Sequence, residues 1–263
     1  MRKKNYSIER KTKILKTLEK DGRVEVETLA KELNVSKETI RRDLREMEQE
    51  GLLKRTHGGA VSINSTQQSP EYPYLMREIQ CLEEKERICK KAASLVKDGD
   101  TIFIDNSSTN ISILKNINPE YSVTIITNSI RLLLESTRYA NDNFVFISLG
   151  GMFRHKNYSC VGDIANEMSN KFRPSKAFLS CYGVDTEGAL FDSSMYEIEV
   201  KRNLIRHAGE VYITADHTKI GRKGGVQLSE ISKADYLICD RALTEEEQKN
   251  LDMQNVKVLV ADI

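Results

Sequence analysis

Apolar positions recur at helical spacing through the first fifty residues. Ile8, Ile14, Leu15 and Leu18 define an amphipathic helix opened by Ser7 as N-cap and closed by Asp21-Gly22. Val26, Leu29, Ala30 and Leu33 sit at i, i+3, i+4 and i+7 and predict a second helix. Asn34-Val35-Ser36 makes a short turn, with Ser36 placed to cap a third helix running to about Glu50. On that helix Ile40, Leu44 and Met47 share one face, while Glu38, Arg42 and Arg45 point the other way and Lys37, Thr39 and Arg41 flank them. After Gly51, two short β-prone pieces flank a basic, glycine-rich tip carrying Lys54, Arg55 and His57. Residues 62–75 are polar and proline-bearing and read as a linker between a domain at 1–61 and one at 76–263.

From Glu83 onward the period changes. Short apolar runs at Thr101–Ile104, Val123–Thr127, Phe144–Leu149, Ala177–Cys181, Val211–Ala215, Tyr236–Cys239 and Val256–Val260 alternate with helical stretches such as Glu83–Lys97, Ser194–Ala208 and Thr244–Leu251. Near-continuous apolar strands separated by helices predict an α/β domain with a mostly parallel, doubly covered sheet.

Composition narrows the class. The 263 residues suffice for two domains, and 39% hydrophobic with 30% charged residues is an ordinary soluble balance. No apolar run of the roughly 18 residues a membrane span needs occurs, and the N-terminus has no secretion signal, so a cytoplasmic chain without membrane partners is expected. The net charge of +1 hides an asymmetry: residues 1–60 carry 16 Lys+Arg against 11 Asp+Glu, the remainder 24 against 28. A basic small domain fused to a slightly acidic large one suits a module that grips a polyanion. Cys81, Cys89, Cys160, Cys181 and Cys239 form no CxxC pair, and His57, His155, His207 and His217 are scattered, so free thiols and neither metal nor cofactor are expected.

The first three helices make a helix-turn-helix whose third element offers Ser36, Lys37, Glu38, Thr39, Arg41, Arg42 and Arg45 to duplex DNA, arginine suiting guanine edges and the helix start suiting phosphate. Lys54, Arg55 and His57 then form a basic wing. Asp43 is expected to pair with an arginine rather than touch DNA. In the larger domain three strand ends can cradle an anion: Asp105 with Ser107, Ser108, Thr109 and Asn110; Thr127-Asn128-Ser129; and Gly150-Gly151. Asp185, Glu197 and Asp216 offer acceptors to sugar hydroxyls and Lys219 a clamp for phosphate. Helix capping and ion pairs that hold loops remain the alternatives for each of them. The glycine-rich Ile220–Gly225 segment reads as a mobile loop with Arg222 or Lys223 as further phosphate contacts.

These motifs resemble a known family. Arg10-x3-Ile14-x3-Leu18 followed by Ser36-x2-Thr39-Ile40-Arg41-Arg42-Asp43-Leu44, and then Gly-Leu-Leu-Lys-Arg-Thr-His-Gly-Gly-Ala, is similar to the DeoR-family helix-turn-helix and wing. Asp105–Thr109, Thr127–Ser129, Gly150-Gly151, Ser159–Gly162, Gly183–Asp185, Glu197–Arg202 and Ala215–Lys219 follow the order of that family's sensor motifs. The resemblance spans almost the whole chain. It implies a winged helix-turn-helix joined to a sensor domain like ribose-5-phosphate isomerase and the CoA transferases. It further implies a homo-oligomeric repressor, dimer or tetramer, of a carbohydrate operon that binds a double-stranded operator and answers to a phosphorylated sugar. One departure stands out: Ser107 and Ser108 occupy the places of the family's usual Gly-Thr, which narrows the approach of a phosphate or adds a hydroxyl donor to it. The rival reading is a sugar-phosphate isomerase-like enzyme with a DNA-binding appendage. No nucleophile–base pair is marked, so no catalytic residue is assigned.

Overall fold

The computed structural model describes residues 7–62, 73–139, 141–252 and 254–261. The chain divides into two compact units, Met1–Gln80 and Cys81–Ile263.

The first unit runs α1 (Ser7–Asp21), β1 (Arg23–Glu25), α2 (Val26–Glu32), α3 (Lys37–Gln49), β2 (Lys54–Arg55), β3 (Gly59–Val61) and α4 (Tyr74–Ile79). The apolar stripes meet in one core: Ile14, Leu15, Leu18, Leu29, Leu33, Ile40, Leu44 and Met47 are all buried. Ser36 caps α3, its Oγ accepting from the Thr39 amide at 3.1 Å. The wing is larger than expected, because β1 joins β3 and β2 in an antiparallel sheet of order β1-β3-β2. Gly59 makes that pairing possible, since a Cβ there would lie 1.8 Å from the Val24 carbonyl oxygen.

Two sequence expectations change here. Ser7 lies inside α1, and its hydroxyl donates to Asp43 at 3.3 Å. Tyr74 and Leu75, assigned to a linker, open α4, which lies against α1. Pro73 precedes that helix, where its fixed φ of −52° suits a helix start. The rest of the expected linker, residues 63–72, lies outside the described residues.

The second unit contains α5 (Leu82–Ser94), β4 (Thr101–Ile104), α6 (Ile113–Asn116), β5 (Val123–Thr127), α7 (Ile130–Tyr139), β6 (Phe144–Ser148), β7 (Met152–Arg154), β8 (Ser159–Val161), α8 (Asp163–Lys171) and β9 (Lys176–Ser180). It continues with β10 (Gly183–Val184), β11 (Ala189–Asp192), α9 (Ile198–His207), β12 (Glu210–Ala215), β13 (Val226–Glu230), β14 (Tyr236–Cys239), α10 (Glu245–Asp252) and β15 (Lys257–Val260). Seven strands form one parallel sheet of order β15-β14-β12-β9-β4-β5-β6. Alternate residues feed two cores, one on each face: Phe103 and Leu179 enter one, Ile102, Ile104 and Phe178 the other. Phe178, Tyr212 and Tyr236 stack across β9, β12 and β14 with centroid spacings of 5.1 and 4.7 Å.

The chain builds outward from β4 to β5 and β6, then returns to the other side of β4 with β9 and continues to β12, β14 and β15. Strand order therefore reverses between β4 and β9. The C-terminal ends of these two strands flank the crevice where open α/β sheets bind ligands.

At the opposite end of the same strands, Lys176 donates to Asp100 at 2.6 Å. Burial alone would raise the Asp100 pKa, but Lys176, the Lys97 amide and Ser175 hold it below the ordinary carboxylate value. A depressed folded-state pKa contributes stability above the unfolded value near 3.8, and that stability is lost as pH falls through the folded one. Asp100→Asn is therefore expected to flatten the loss of thermal stability below about pH 4. A variant melting as steeply with acid as the parent would contradict this.

Candidate functional site

The first unit presents a basic surface on α3. Lys37, Glu38, Arg41, Arg42 and Arg45 are exposed, and Thr39 is half-buried with its hydroxyl 2.9 Å from that of Ser36. Arg41 and Arg45 lie 3.6 and 4.0 Å from Glu38, and Lys37 pairs with Glu27. These pairs are solvent-exposed, hold little energy and can exchange partners readily. Arg42 makes no ion pair or hydrogen bond with the described residues. On the wing, Lys54 and His57 are exposed, while the Arg55 amide donates to Glu48 at 2.8 Å and its guanidinium lies 3.8 Å from the same carboxylate.

Beneath this surface Asp43 is completely buried and takes Arg10 Nε at 2.7 Å and Nη2 at 3.0 Å. The arginine comes from α1, so the pair fixes the recognition helix on its support and does not aim a DNA-contacting side chain. A two-point guanidinium–carboxylate contact sets orientation as well as distance.

In the second unit the crevice end of β4 continues into a tight hydroxyl-bearing loop. Asp105 Oδ1 accepts from the Ser107 amide at 3.0 Å and from Asn110 Nδ2 at 2.9 Å. Ser107 Oγ accepts from the Asn110 amide at 3.1 Å. Positive φ among non-glycine residues occurs only at Asn34, Cys81, Tyr158 and Asn255 of the described chain, so this loop carries Ser107 without left-handed backbone. Ser107 therefore sits here without backbone strain, its hydroxyl capping the turn at the Asn110 amide.

The remaining expected residues fall into two groups. Several are spent inside the framework. Asn110 bonds the Phe178 carbonyl and accepts from Thr214 at 2.7 Å, tying β4 to β9 and β12. Thr127 Oγ1 donates to the Ile104 carbonyl at 2.7 Å, and Ser129 Oγ accepts from the Leu132 amide at 3.1 Å, capping α7. Asp185 accepts from the Glu187 and Ala189 amides at 2.9 and 2.8 Å and faces Lys223 at 3.3 Å. Asp216 caps the turn after β12 by accepting from the Thr218 amide. Glu197 takes Ser159 Oγ at 2.6 Å and Asn157 Nδ2 at 3.0 Å, joining α9 to the β7–β8 hairpin. Gly151 lets the turn after β6 cross that hairpin, because a Cβ on it would stand 2.6 Å from the Val161 oxygen. Gly150 turns the chain beside it with φ +67°.

The other group stands at the C-terminal ends of the parallel strands: Ser107, Ser108 and Thr109 on the loop after β4, Asn128 at the end of β5, and Lys219 after β12. Ser180 Oγ lies 3.4 Å from Thr109 Oγ1. Lys219 is close enough to act electrostatically on both Cys81 and Cys181. Burial pushes the Cys181 thiol up to about 12 against the opposing charges of Lys219 and Lys201, so it stays protonated at neutral pH.

Two lysines were given no role by the sequence reading, although Lys201 lies in the Glu197–Arg202 motif. Lys85 on α5 is buried, with Nζ 3.5 Å from Ser108 Oγ. Lys201 on α9 is buried and donates to Asp192 at 2.6 Å and to the Ser180 carbonyl at 2.7 Å, with Asp105 3.1 Å away. Burial alone would lower its pKa, but Asp192 and Asp105 hold it above the ordinary lysine value. The available signal was periodicity. Lys201 falls on the buried stripe of Ile198 and Leu204, and Lys85 on that of Ile88, Cys89 and Ala92. A lysine in such a stripe must be paired.

The glycine-rich segment after Lys219 is pinned in place. Arg222 lies 3.8 Å over the Tyr182 ring and donates to its hydroxyl at 2.6 Å. Gly183 admits the Arg222 backbone, whose oxygen would meet a Cβ at 2.2 Å.

Comparison with known proteins supplies the family. The DeoR-like helix-turn-helix domain matches residues 10–66 and the DeoR C terminal sensor domain residues 80–241. An uncharacterized HTH-type transcriptional regulator, YulB of Bacillus subtilis (strain 168), is 34% identical over 95% of both chains. A lactose phosphotransferase system repressor of Staphylococcus aureus (strain NCTC 8325 / PS 47) is 35% identical over 92% of this chain and 94% of its own. Among solved structures, ribose 5-phosphate isomerase A of Methanocaldococcus jannaschii aligns at 18% identity and TM-score 0.38 over 52% of this chain and 53% of that one. Two family domains in the family's order, with relatives matched along nearly their full length, make this chain a member of the DeoR family of HTH-type transcriptional regulators.

Proposed function

We propose that the protein is a cytoplasmic repressor of a carbohydrate operon, released or tightened on its operator by a phosphorylated sugar. What supports this reading is the pairing, in one chain, of the exposed basic helix α3 with a hydroxyl-bearing loop after β4, at the point where strand order reverses and with Lys85 Nζ 3.5 Å from Ser108 Oγ. Relatives of similar length include a lactose phosphotransferase system repressor and the regulators IolR and GlpR. No helix of the described residues is long and apolar enough to cross a membrane.

On DNA, Ser36, Lys37 and Thr39 take phosphate at the start of α3, while Arg41, Arg42 and Arg45 reach base edges and Lys54, Arg55 and His57 track the backbone beside the groove. Glu38 orders Arg41 and Arg45 before they bind. Two copies place two recognition helices on half-sites about 34–36 Å apart or a multiple of that. Arg42→Ala should weaken binding to a cognate operator by about 1–3 kcal/mol, because a bidentate guanine contact is worth that much. Titration at fixed salt checks this, and an unchanged affinity removes Arg42 from base reading.

In the sensor, Ser107, Ser108, Thr109 and Lys219 hold the phosphoryl group with support from Lys85. Asp105, Asn110, Thr127, Ser129, Asp185, Asp216 and Glu197 position the loops that carry those contacts. Lys219→Ala is expected to abolish the response to the sugar phosphate while leaving operator affinity intact. A normal response in that variant would remove the clamp. Effector and operator are coupled only if the effector binds the DNA-competent and incompetent arrangements differently.

A further inference from the structure

We infer that the face formed by the β7–β8 hairpin, the start of α8 and the lead into α9 is where a second copy of this chain docks. Met152 and Phe153 on β7, Ile164 on α8, and Met195 and Tyr196 before α9 are between 50% and 68% exposed. They are five of the six most exposed large apolar side chains among the described residues. They are also neighbours. A Cβ on Gly162, two residues before Ile164, would stand 4.0 Å from the Met152 Cβ. Arg154, next along the strand, lies 4.4 Å over the Tyr196 ring and donates to Ser194 at 2.6 Å.

The hairpin is built inside out. Its inward residues are polar: Asn157 and Ser159 are fully buried and donate to the Glu197 carboxylate at 3.0 and 2.6 Å. Its outward residues Met152 and Phe153 are apolar. A hairpin finished by water alone has the opposite arrangement. The outer side of β8 is already taken, since the Cys160 amide donates to the Asn128 carbonyl at 2.7 Å and Ser159 bridges Ser129. Beside β7 no further strand lies among the described residues, so its edge is open.

Size and charge select the occupant. Five large side chains at least half exposed leave roughly 500 Å² of apolar surface in water, taking about 200 Å² for each whole side chain. A standard interface buries about 800 Å² per partner, and about 65% of a homodimer interface is apolar. The patch therefore matches the apolar share of one half of a dimer. The charges around it are spent on one another: Arg154 lies 3.5 Å from Glu197, Lys171 2.7 Å from Glu167 and Arg202 2.7 Å from Glu199. A face that meets its own copy across a two-fold axis is set against its like, so a net charge there would repel. Nucleic acid would call for an unbalanced basic face instead. Under the same two-fold, β7 runs antiparallel to the β7 of the other copy, and two open edges can pair. The consequence for DNA rests on the operator reading above: a paired sensor carries two recognition helices for two half-sites.

Sedimentation of the full-length protein at micromolar concentration tests this. The parent should run as a dimer or tetramer. Phe153→Asp and Met195→Asp place a carboxylate in the face on two separate elements, and both positions are exposed in the single chain. Each variant should keep its helical circular dichroism and fall to half the parent mass, or dissociate at least about tenfold more readily. Mixing Phe153→Asp with Phe153→Lys should restore the parent mass, because opposite charges then meet across the axis. If one variant loses helical content, the other gives the reading. Parent mass kept in both variants overturns the face. A monomeric parent overturns the second copy as its occupant and leaves the face to a different protein. Titration of a labelled promoter duplex with the same samples reports the operator reading separately: failure of every sample to bind removes the DNA reader, while the masses still judge the face.

Discussion

Lys201→Met should lower the melting temperature of the sensor domain by roughly 6–20 °C. The side chain is buried between Asp105 and Asp192 and also donates to the Ser180 carbonyl. Methionine fills the volume but leaves two carboxylates facing each other with no cation. Breaking a buried pair by removing one partner costs about 3–5 kcal/mol, and each kcal/mol moves the midpoint of a domain this size by about 2–4 °C. The raised pKa of Lys201 adds a sign check. Its stabilisation is fully present below the unfolded value of 10.5 and is lost only as pH rises through the still higher folded one, so the deficit of the variant should persist unchanged from pH 6 to 9. Pairing Lys201→Met with Asp192→Asn should recover part of the loss, because one of the stranded charges is gone. A midpoint within about 2 °C of the parent would show that the network is relaxed by solvent rather than held by Lys201.

Arg10→Ala should cost the DNA-binding unit about 3–5 kcal/mol as well, through the carboxylate of Asp43 that it strands. That unit is small, and domains hold only about 5–15 kcal/mol in reserve. Operator affinity should therefore collapse at 37 °C and recover in part on cooling, although Arg10 lies on α1, outside the recognition helix. Circular dichroism melting follows the helices and anisotropy follows the DNA. Loss of affinity with an unchanged helical melt would mean that Arg10 contacts DNA itself, against the geometry seen here.

The long-range plan of the molecule was readable because its signals are periodic and strong. Seven apolar runs became seven parallel strands, and the stripe of Ile40, Leu44 and Met47 placed the recognition helix with Ser36 at its cap. Several short elements were missed for a physical reason. Strands β1, β7, β8, β10 and β11 have two to four residues each, too few for alternation to stand out from loop sequence. The first two residues of α4 fell in the expected linker because they follow a polar, proline-bearing stretch.

The site was legible by motif but not by role. Hydroxyls and carboxylates at strand ends were found, yet which ones face the crevice depends on partners far away in sequence. Asn110 is consumed by Phe178 and Thr214, and Glu197 by Asn157 and Ser159. Lys85 and Lys201 were passed over because lysine is expected at the surface, and only their place on buried helical stripes betrays them. The Ile220–Gly225 loop looked mobile from its glycines, but Gly183 and Gly225 are there to admit close backbone contact, with Cβ positions 2.2 and 2.0 Å from carbonyl oxygens.

The most direct measurement is fluorescence anisotropy of the full-length protein with a labelled duplex from its own promoter region, at fixed low salt, with and without a panel of sugar phosphates. A two-domain metabolite-controlled DNA reader predicts tight duplex binding that at least one sugar phosphate shifts by about 5-fold or more, the scale of allosteric coupling. No affinity for the duplex at low ionic strength, or binding that every sugar phosphate leaves untouched, would contradict it.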